Sequence, residues 1–147
     1  MGWTAAERDE AEIRGLIDRW VGAFQDRDVA AAMAIHAPDT VSFDIVAPLR
    51  YVGTDAYRKP WEETFETFVG PVYFEIRELD ITIGADVAFS RSLNRMMATT
   101  TEGHATDIWL RWTACFQKRD GHWLIVHDHT SVPTDFTTGT AVLDLTP

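Results

Sequence analysis

From residue 72 to residue 132 the chain reads as strand almost without a break, and every helical pattern lies before residue 70. That segregation constrains the fold more than any other feature. Helices first and strands after make an α+β architecture, with helices packed on one face of a mostly antiparallel sheet. Four strand segments are expected, 72–83, 87–98, 106–118 and 122–132. Gly84-Ala85-Asp86, a polar loop from Thr100 to His104 and the strong turn signal Asp120-Gly121 separate them. The first segment changes phase: Phe74 and Ile76 are even, whereas Leu79, Ile81 and Ile83 are odd. One extra residue near Arg77-Glu78 accounts for the slip, and such a β-bulge bends a sheet. A strongly bent sheet wrapped around helices leaves a cavity at its open end. The expected form is a cone-shaped α+β barrel.

The helices that fill the cone are legible from periodicity. Thr4 and Glu7 have the spacing of a capping box. Ile13, Leu16, Ile17, Trp20, Val21 and Phe24 then form one apolar stripe, with Arg14, Asp18 and Arg19 off it. Asp28 is placed to cap a short second helix from Val29 to about Ile35, ended by His36-Ala37-Pro38-Asp39. Residues 40–46 and 49–52 read as short strands. Thr54 is placed to cap a third helix with Tyr57, Trp61, Phe65 and Phe68 on its apolar face, which Gly70-Pro71 stops. Pro60 would cost that helix a backbone bond, so a kink or a later start is expected there. Pro133 ends the last strand, and 136–147 form a polar tail. With 147 residues and no repeat or linker, residues 1–147 are expected to make one domain.

Composition excludes several classes of function. There are 13 basic and 23 acidic residues, a net charge of −10, which argues against nucleic-acid or anionic-membrane binding. No stretch approaches a membrane span, and the first residues lack the basic-then-apolar pattern of a signal peptide, so a cytoplasmic protein is expected. Cys115 is the sole cysteine and reads as a small core residue.

Two strand ends carry ionisable groups that apolar surroundings would penalise. One is Asp44, after Thr40-Val41-Ser42-Phe43; the other is His127-Asp128-His129, after Trp123-Leu124-Ile125-Val126. A pocket carboxylate at Asp44 would have its pKa raised by desolvation, the state a general base near neutrality needs. Alternation puts Leu124, Val126, Asp128 and Thr130 on one face of the last strand, and Trp123, Ile125, His127 and His129 on the other. Both faces carry apolar residues, so burial does not choose between them. If Asp128 faces the pocket, the histidines face the convex side, unless a bulge re-aims His129 to the rim. Trp61, Phe65 and Trp112 are candidate walls. Asn94 shares a face with Ser90 and Ser92, while Arg91 and Arg95 share the opposite one, read as solvated or interfacial. Nothing fixes further ligands around His127 and His129, and zinc needs three or four, so no metal is expected. No phosphate-binding glycine loop occurs, and no cofactor is expected.

Five segments resemble the nuclear transport factor 2-like superfamily, and within it the SnoaL-like and ketosteroid isomerase-like proteins. They are Arg19-Trp20-Val21-Gly22-Ala23-Phe24 with Asp28, Ala37 to Asp44, Gly53-Thr54-Asp55-Ala56, Asp86-Val87-Ala88-Phe89, and Asp120 to Pro133. The resemblance spans nearly the whole chain. It implies that Asp44 falls where similar isomerases carry their general base, and that Asp128 faces the pocket. Trp20 stands in place of the isomerase's oxyanion-binding tyrosine, and Trp112-Thr113-Ala114 holds no counterpart of its protonated aspartate. Those departures argue against steroid isomerisation by that route. The resemblance further implies a homodimer through the exposed sheet face.

Two readings follow. One is a small cofactor-independent enzyme that moves a proton on an apolar oxygenated small molecule, by isomerisation, cyclisation, dehydration or hydrolysis. Asp44 would be the base, Asp128 with His129 or Asn94 would orient the substrate or return the proton, and Trp61, Phe65 and Trp112 would form walls. The other is a non-catalytic binding or dimerisation domain of the same fold.

Overall fold

A computed structural model describes residues 2–147. Its first helix, α1 (Ala5–Asp26), begins with the expected capping box: Thr4 and Glu7 satisfy each other's backbone N–H. The apolar stripe is buried, with Ile13, Leu16, Ile17 and Phe24 all at 2% exposure or less. Asp28 caps α2 (Val29–Ala34) by accepting from the Ala31 N–H.

Next come β1 (His36–Phe43), β2 (Tyr51–Val52), α3 (Thr54–Glu66), β3 (Phe68–Ile83), β4 (Val87–Thr100), β5 (Ala105–Arg119) and β6 (His122–Ser131). A small hairpin, β7 (Thr134–Asp135) and β8 (Thr140–Ala141), occupies the expected polar tail. Six strands form one mixed, curved sheet in the order β2-β1-β6-β5-β4-β3, with β1 and β6 parallel and the other neighbours antiparallel. The sheet is not closed: β2 and β3 are its edges, so the cone is an open one.

Four local expectations are corrected. β1 starts at His36, where a helix end and loop were expected. Pro38 is tolerated inside a strand because β1 and β6 fall out of register between His36 and Val41, so no ladder bond is lost there. Thr54 does not cap α3; Gly53 holds the cap position at φ 86°, and the Thr54 hydroxyl donates to the Ala37 carbonyl instead. α3 also runs through Pro60, whose carbonyl accepts from the Thr64 hydroxyl. It ends before Gly70-Pro71, which lies at a pairing irregularity inside β3.

The bend of the sheet has the expected cause. Between Arg77 and Asp80, β3 uses three steps where β4 uses two, and Glu78 takes φ 55°. α1 packs into the concavity. Asp9, near its start, accepts from the Trp123 indole at 3.0 Å and from the Lys118 ammonium at 2.8 Å, joining the helix to β5 and β6. On the outer face Arg95 pairs with Asp107 through two bonds of 2.9 and 2.8 Å, and Arg77 lies over the Trp109 ring. Cys115 also lies on that side, only half-buried, so it is not a core residue. Among the described residues no helix is long and apolar enough to cross a membrane.

Candidate functional site

β1 delivers Asp44 to the open end of the cone. The strand stops at Phe43, and Asp44 opens the irregular segment that leads to β2. Its Oδ1 accepts from the next backbone N–H, Ile45, at 2.7 Å; its Oδ2 accepts from the Tyr57 hydroxyl at 3.1 Å. Burial raises its carboxyl above the ordinary 3.8, the nearby charge of Asp128 pushes the same way, and the two hydrogen bonds oppose them. Tyr57 projects from the first turn of α3 and is 3% exposed. Burial chiefly, and both carboxylates, hold its hydroxyl well above 10, so it stays a donor at neutral pH.

Asp128 reaches the same cavity because β6 is bulged. Ile125 pairs with Phe116 and His127 with Cys115, which leaves Val126 unpaired on β5. Before the bulge, Trp123 and Ile125 point into the core; after it, Asp128 does, at 6% exposure. The bulge reconciles two apolar faces on one strand and turns the acid inward. Asp128 accepts from the Ser42 hydroxyl on one oxygen and from the Trp112 indole on the other, at 3.3 Å. Trp112 is itself fixed by stacking on Trp20 at 5.6 Å.

Both acids line one cavity of about 160 Å³. Trp20, Trp61, Phe74, Ile108 and Leu110 supply most of its wall, and among the described residues no Lys, Arg or His lines it. The structure thus brings together Asp44, Asp128, Trp61, Trp112 and Asn94. Asn94 is 2% exposed, and its Oδ1 accepts from Ser92 Oγ at 2.7 Å.

Two expected site residues are elsewhere. His129 is exposed on the outer side, its ring against Phe43 at 5.6 Å, because the bulge that turns Asp128 inward turns its neighbours outward. It borders a surface depression with Phe43, Asp44 and the 45–50 segment, outside the cavity that Asp44 shares with Asp128. Phe65 packs in the core against Phe24 and Trp61 rather than on the cavity wall. His127 is also outward, with Nδ1 at 2.6 Å from the Val41 carbonyl. Among the described residues no three His, Cys, Asp or Glu side chains converge as metal ligands.

Tyr57, Ser42 and His36 belong to the surroundings of the site and were not singled out by sequence. Ser42 carried a usable signal: it pairs by alternation with Thr40, a second polar residue at 0% exposure. His36 is buried against Tyr57, with Nδ1 bonded to the Ala32 carbonyl at 3.0 Å and Nε2 unpartnered. Burial lowers its pKa below the ordinary 6.5, which favours the neutral ring, against the pull of Asp128.

Comparison with known proteins gives one family model, SnoaL-like domain, matching residues 13–135. Curated proteins give no match. An NTF2-like protein of unknown function from Pseudomonas putida KT2440 is 34% identical, with a TM-score of 0.87 over 99% of this chain and 100% of that one. A ketosteroid isomerase-like protein from Erwinia carotovora atroseptica SCRI1043 is 27% identical, at TM-score 0.71 over 82% of this chain and 93% of that one. A putative scytalone dehydratase from Novosphingobium aromaticivorans DSM 12444 shares the fold, at 16% identity and TM-score 0.77 over 85% of this chain and 84% of that one.

Proposed function

The chain belongs to the SnoaL-like domain family, and on that premise we propose that it is a small enzyme catalysing proton transfer on a neutral, largely apolar, oxygenated small molecule. The observation that carries this reading is the shared cavity of Asp44 and Asp128, two carboxylates facing one mostly apolar space. Asp44 takes a proton from carbon or oxygen of the bound molecule. Its raised pKa makes it a stronger base than an exposed Asp, and each of its oxygens keeps a lone pair beyond the Ile45 and Tyr57 bonds. Tyr57, in turn, steadies the carboxylate.

Asp128 plays a second part. Held by Ser42 and Trp112, it is oriented by neighbours that only donate to it. It positions the substrate by accepting a hydroxyl, or receives the proton before its return. Isomerisation, dehydration and elimination all fit a base with a second carboxylate nearby. Structural neighbours of the fold include proteins described as a ketosteroid isomerase-like protein, a putative scytalone dehydratase and a hexachlorocyclohexane dehydrochlorinase. The size of the space favours a compact substrate over a steroid: about 160 Å³ is close to the ~150 Å³ of an engineered cavity that takes up benzene. An Asp44→Asn variant tests the reading; it should bind ligand normally and lose turnover by roughly 10²- to 10⁴-fold.

A further inference from the structure

Asn94 is a polar wall residue that neither carboxylate uses. It sits on β4 opposite Leu110, two strands from Asp128 and on the same concave face. Ser92 Oγ donates to its Oδ1, which fixes the amide with its nitrogen left over. That nitrogen makes no protein hydrogen bond among the described residues; the residue is 2% exposed, and the nitrogen itself keeps some surface open to the cavity. Its neighbours on the wall, Met96, Ile108 and Leu110, offer no acceptor. An amide donor facing a mostly apolar space becomes costly when a ligand displaces water from it, unless the ligand accepts from it.

Size and charge narrow what that acceptor belongs to. The cavity, at about 160 Å³, holds about one six-membered ring. Two carboxylates line it and no cationic side chain does, so an anionic ligand would be repelled and left without a counter-charge. The acceptor oxygen is therefore a neutral one.

We propose that the ligand of this pocket is a neutral monocyclic carbonyl compound, its oxygen accepting from the Asn94 amide and its ring lying against the wall that Trp20 and Trp61 form in edge-to-face contact, toward the two carboxylates. This rests on the proton-transfer reading for the role of the acids, but not for the binding itself. Ser92 is a positioning residue: its hydroxyl presents the amide nitrogen, not the oxygen, to the ligand.

The test is a set of binding titrations on the full chain, followed by tryptophan fluorescence and by the Asn94 side-chain amide signals in NMR. The probes are cyclohexanone, methylenecyclohexane (the same shape without an acceptor) and cyclohexanecarboxylate. Cyclohexanone should bind at least about tenfold more tightly than methylenecyclohexane, the discrimination expected when a buried donor is left unpaired. It should also shift the Asn94 amide signals, and the carboxylate should not bind. Asn94→Leu should make the ketone and the alkene equal, and Ser92→Ala should reduce the preference without abolishing folding. Equal binding of ketone and alkene by the wild type, tight binding of the carboxylate, or no binding of cyclohexanone overturns the proposal. Asp44→Asn separates the two ideas: it should keep the ketone preference. Loss of α-proton exchange with the preference intact bears on Asp44 alone, whereas exchange without the preference removes Asn94.

Discussion

Ser42 on β1 stands directly opposite Asp128 on its parallel neighbour β6 and donates a hydrogen bond from its hydroxyl to the Asp128 carboxylate. Continuing across the sheet, Asp128 faces Ala114 on β5, and Ala114 faces Ser90 on β4. Ser42, Asp128 and Ser90 thus put buried polar groups in one row across the sheet, interrupted by Ala114, and the row's one acid owes its inward aim to the Val126 bulge.

Ser42→Ala should therefore weaken the fold and the site together. A carboxylate at 6% exposure would lose one of two donors, a cost of roughly 1–3 kcal/mol. Thermal unfolding should report a Tm lower by roughly 2–4 °C per kcal/mol. A Ser42→Ala, Trp112→Phe double-mutant cycle should be non-additive, because both donors act on one carboxylate.

Asp44 predicts the opposite sign. A carboxyl whose folded pKa is raised is penalised once the unfolded chain ionises, so its unfavourable contribution grows as pH rises from the ordinary 3.8 to the raised folded value and is constant above it. The stability difference between Asp44→Asn and the wild type should shift in the variant's favour as pH rises from below 3.8 to neutrality, on top of a constant cost for the amide NH2 that replaces one of the two acceptor oxygens. Chemical denaturation at several pH values measures this. A difference that does not change with pH, or that shifts in favour of the wild type as pH rises, would contradict the desolvated state of Asp44.

Asp9 follows the usual carboxylate rule. Its pKa is lowered first by the Lys118 hydrogen bond and then by that of Trp123, so it contributes stability above its unfolded pKa that is lost as pH falls through the folded one. Asp9→Ala should destabilise the protein at pH 7, by roughly 1–3 kcal/mol for the indole N–H left without its acceptor. That deficit should shrink in acid below pH 3.8.

His129 supplies a control. Because it lies outside the cavity, His129→Ala should leave turnover within about twofold of the wild type, the scale of an ordinary surface substitution. A large loss would return His129 to the chemistry.

The two bulges show why one half of the site was legible in the sequence and the other was not. In β3 the phase slip between Phe74-Ile76 and Leu79-Ile81-Ile83 is visible because the residues between, Arg77 and Glu78, are charged. In β6 the extra residue is Val126, apolar among apolar neighbours, so alternation placed Asp128 with Leu124 and Val126 and left its direction open. β1 was read too late by four residues because His36-Ala37-Pro38-Asp39 has the composition of a helix stop; only the parallel pairing with β6 makes it a strand. Asp44 was legible as an acid at a strand end. Its partner Tyr57 was hidden among the apolar residues of α3, since helical spacing reports a face but not what a hydroxyl reaches.

Base chemistry at Asp44 is tested most directly by exchange of α-protons for deuterium in a compact ketone such as cyclohexanone, followed by proton NMR in D₂O with wild-type protein and with Asp44→Asn. Asp44 as the base predicts exchange above the buffer rate with the wild type, and a fall of roughly 10²-fold or more toward that rate in the variant, with ketone binding preserved. Exchange that persists undiminished in Asp44→Asn, or wild-type protein that binds the ketone and never exchanges it, would contradict that role.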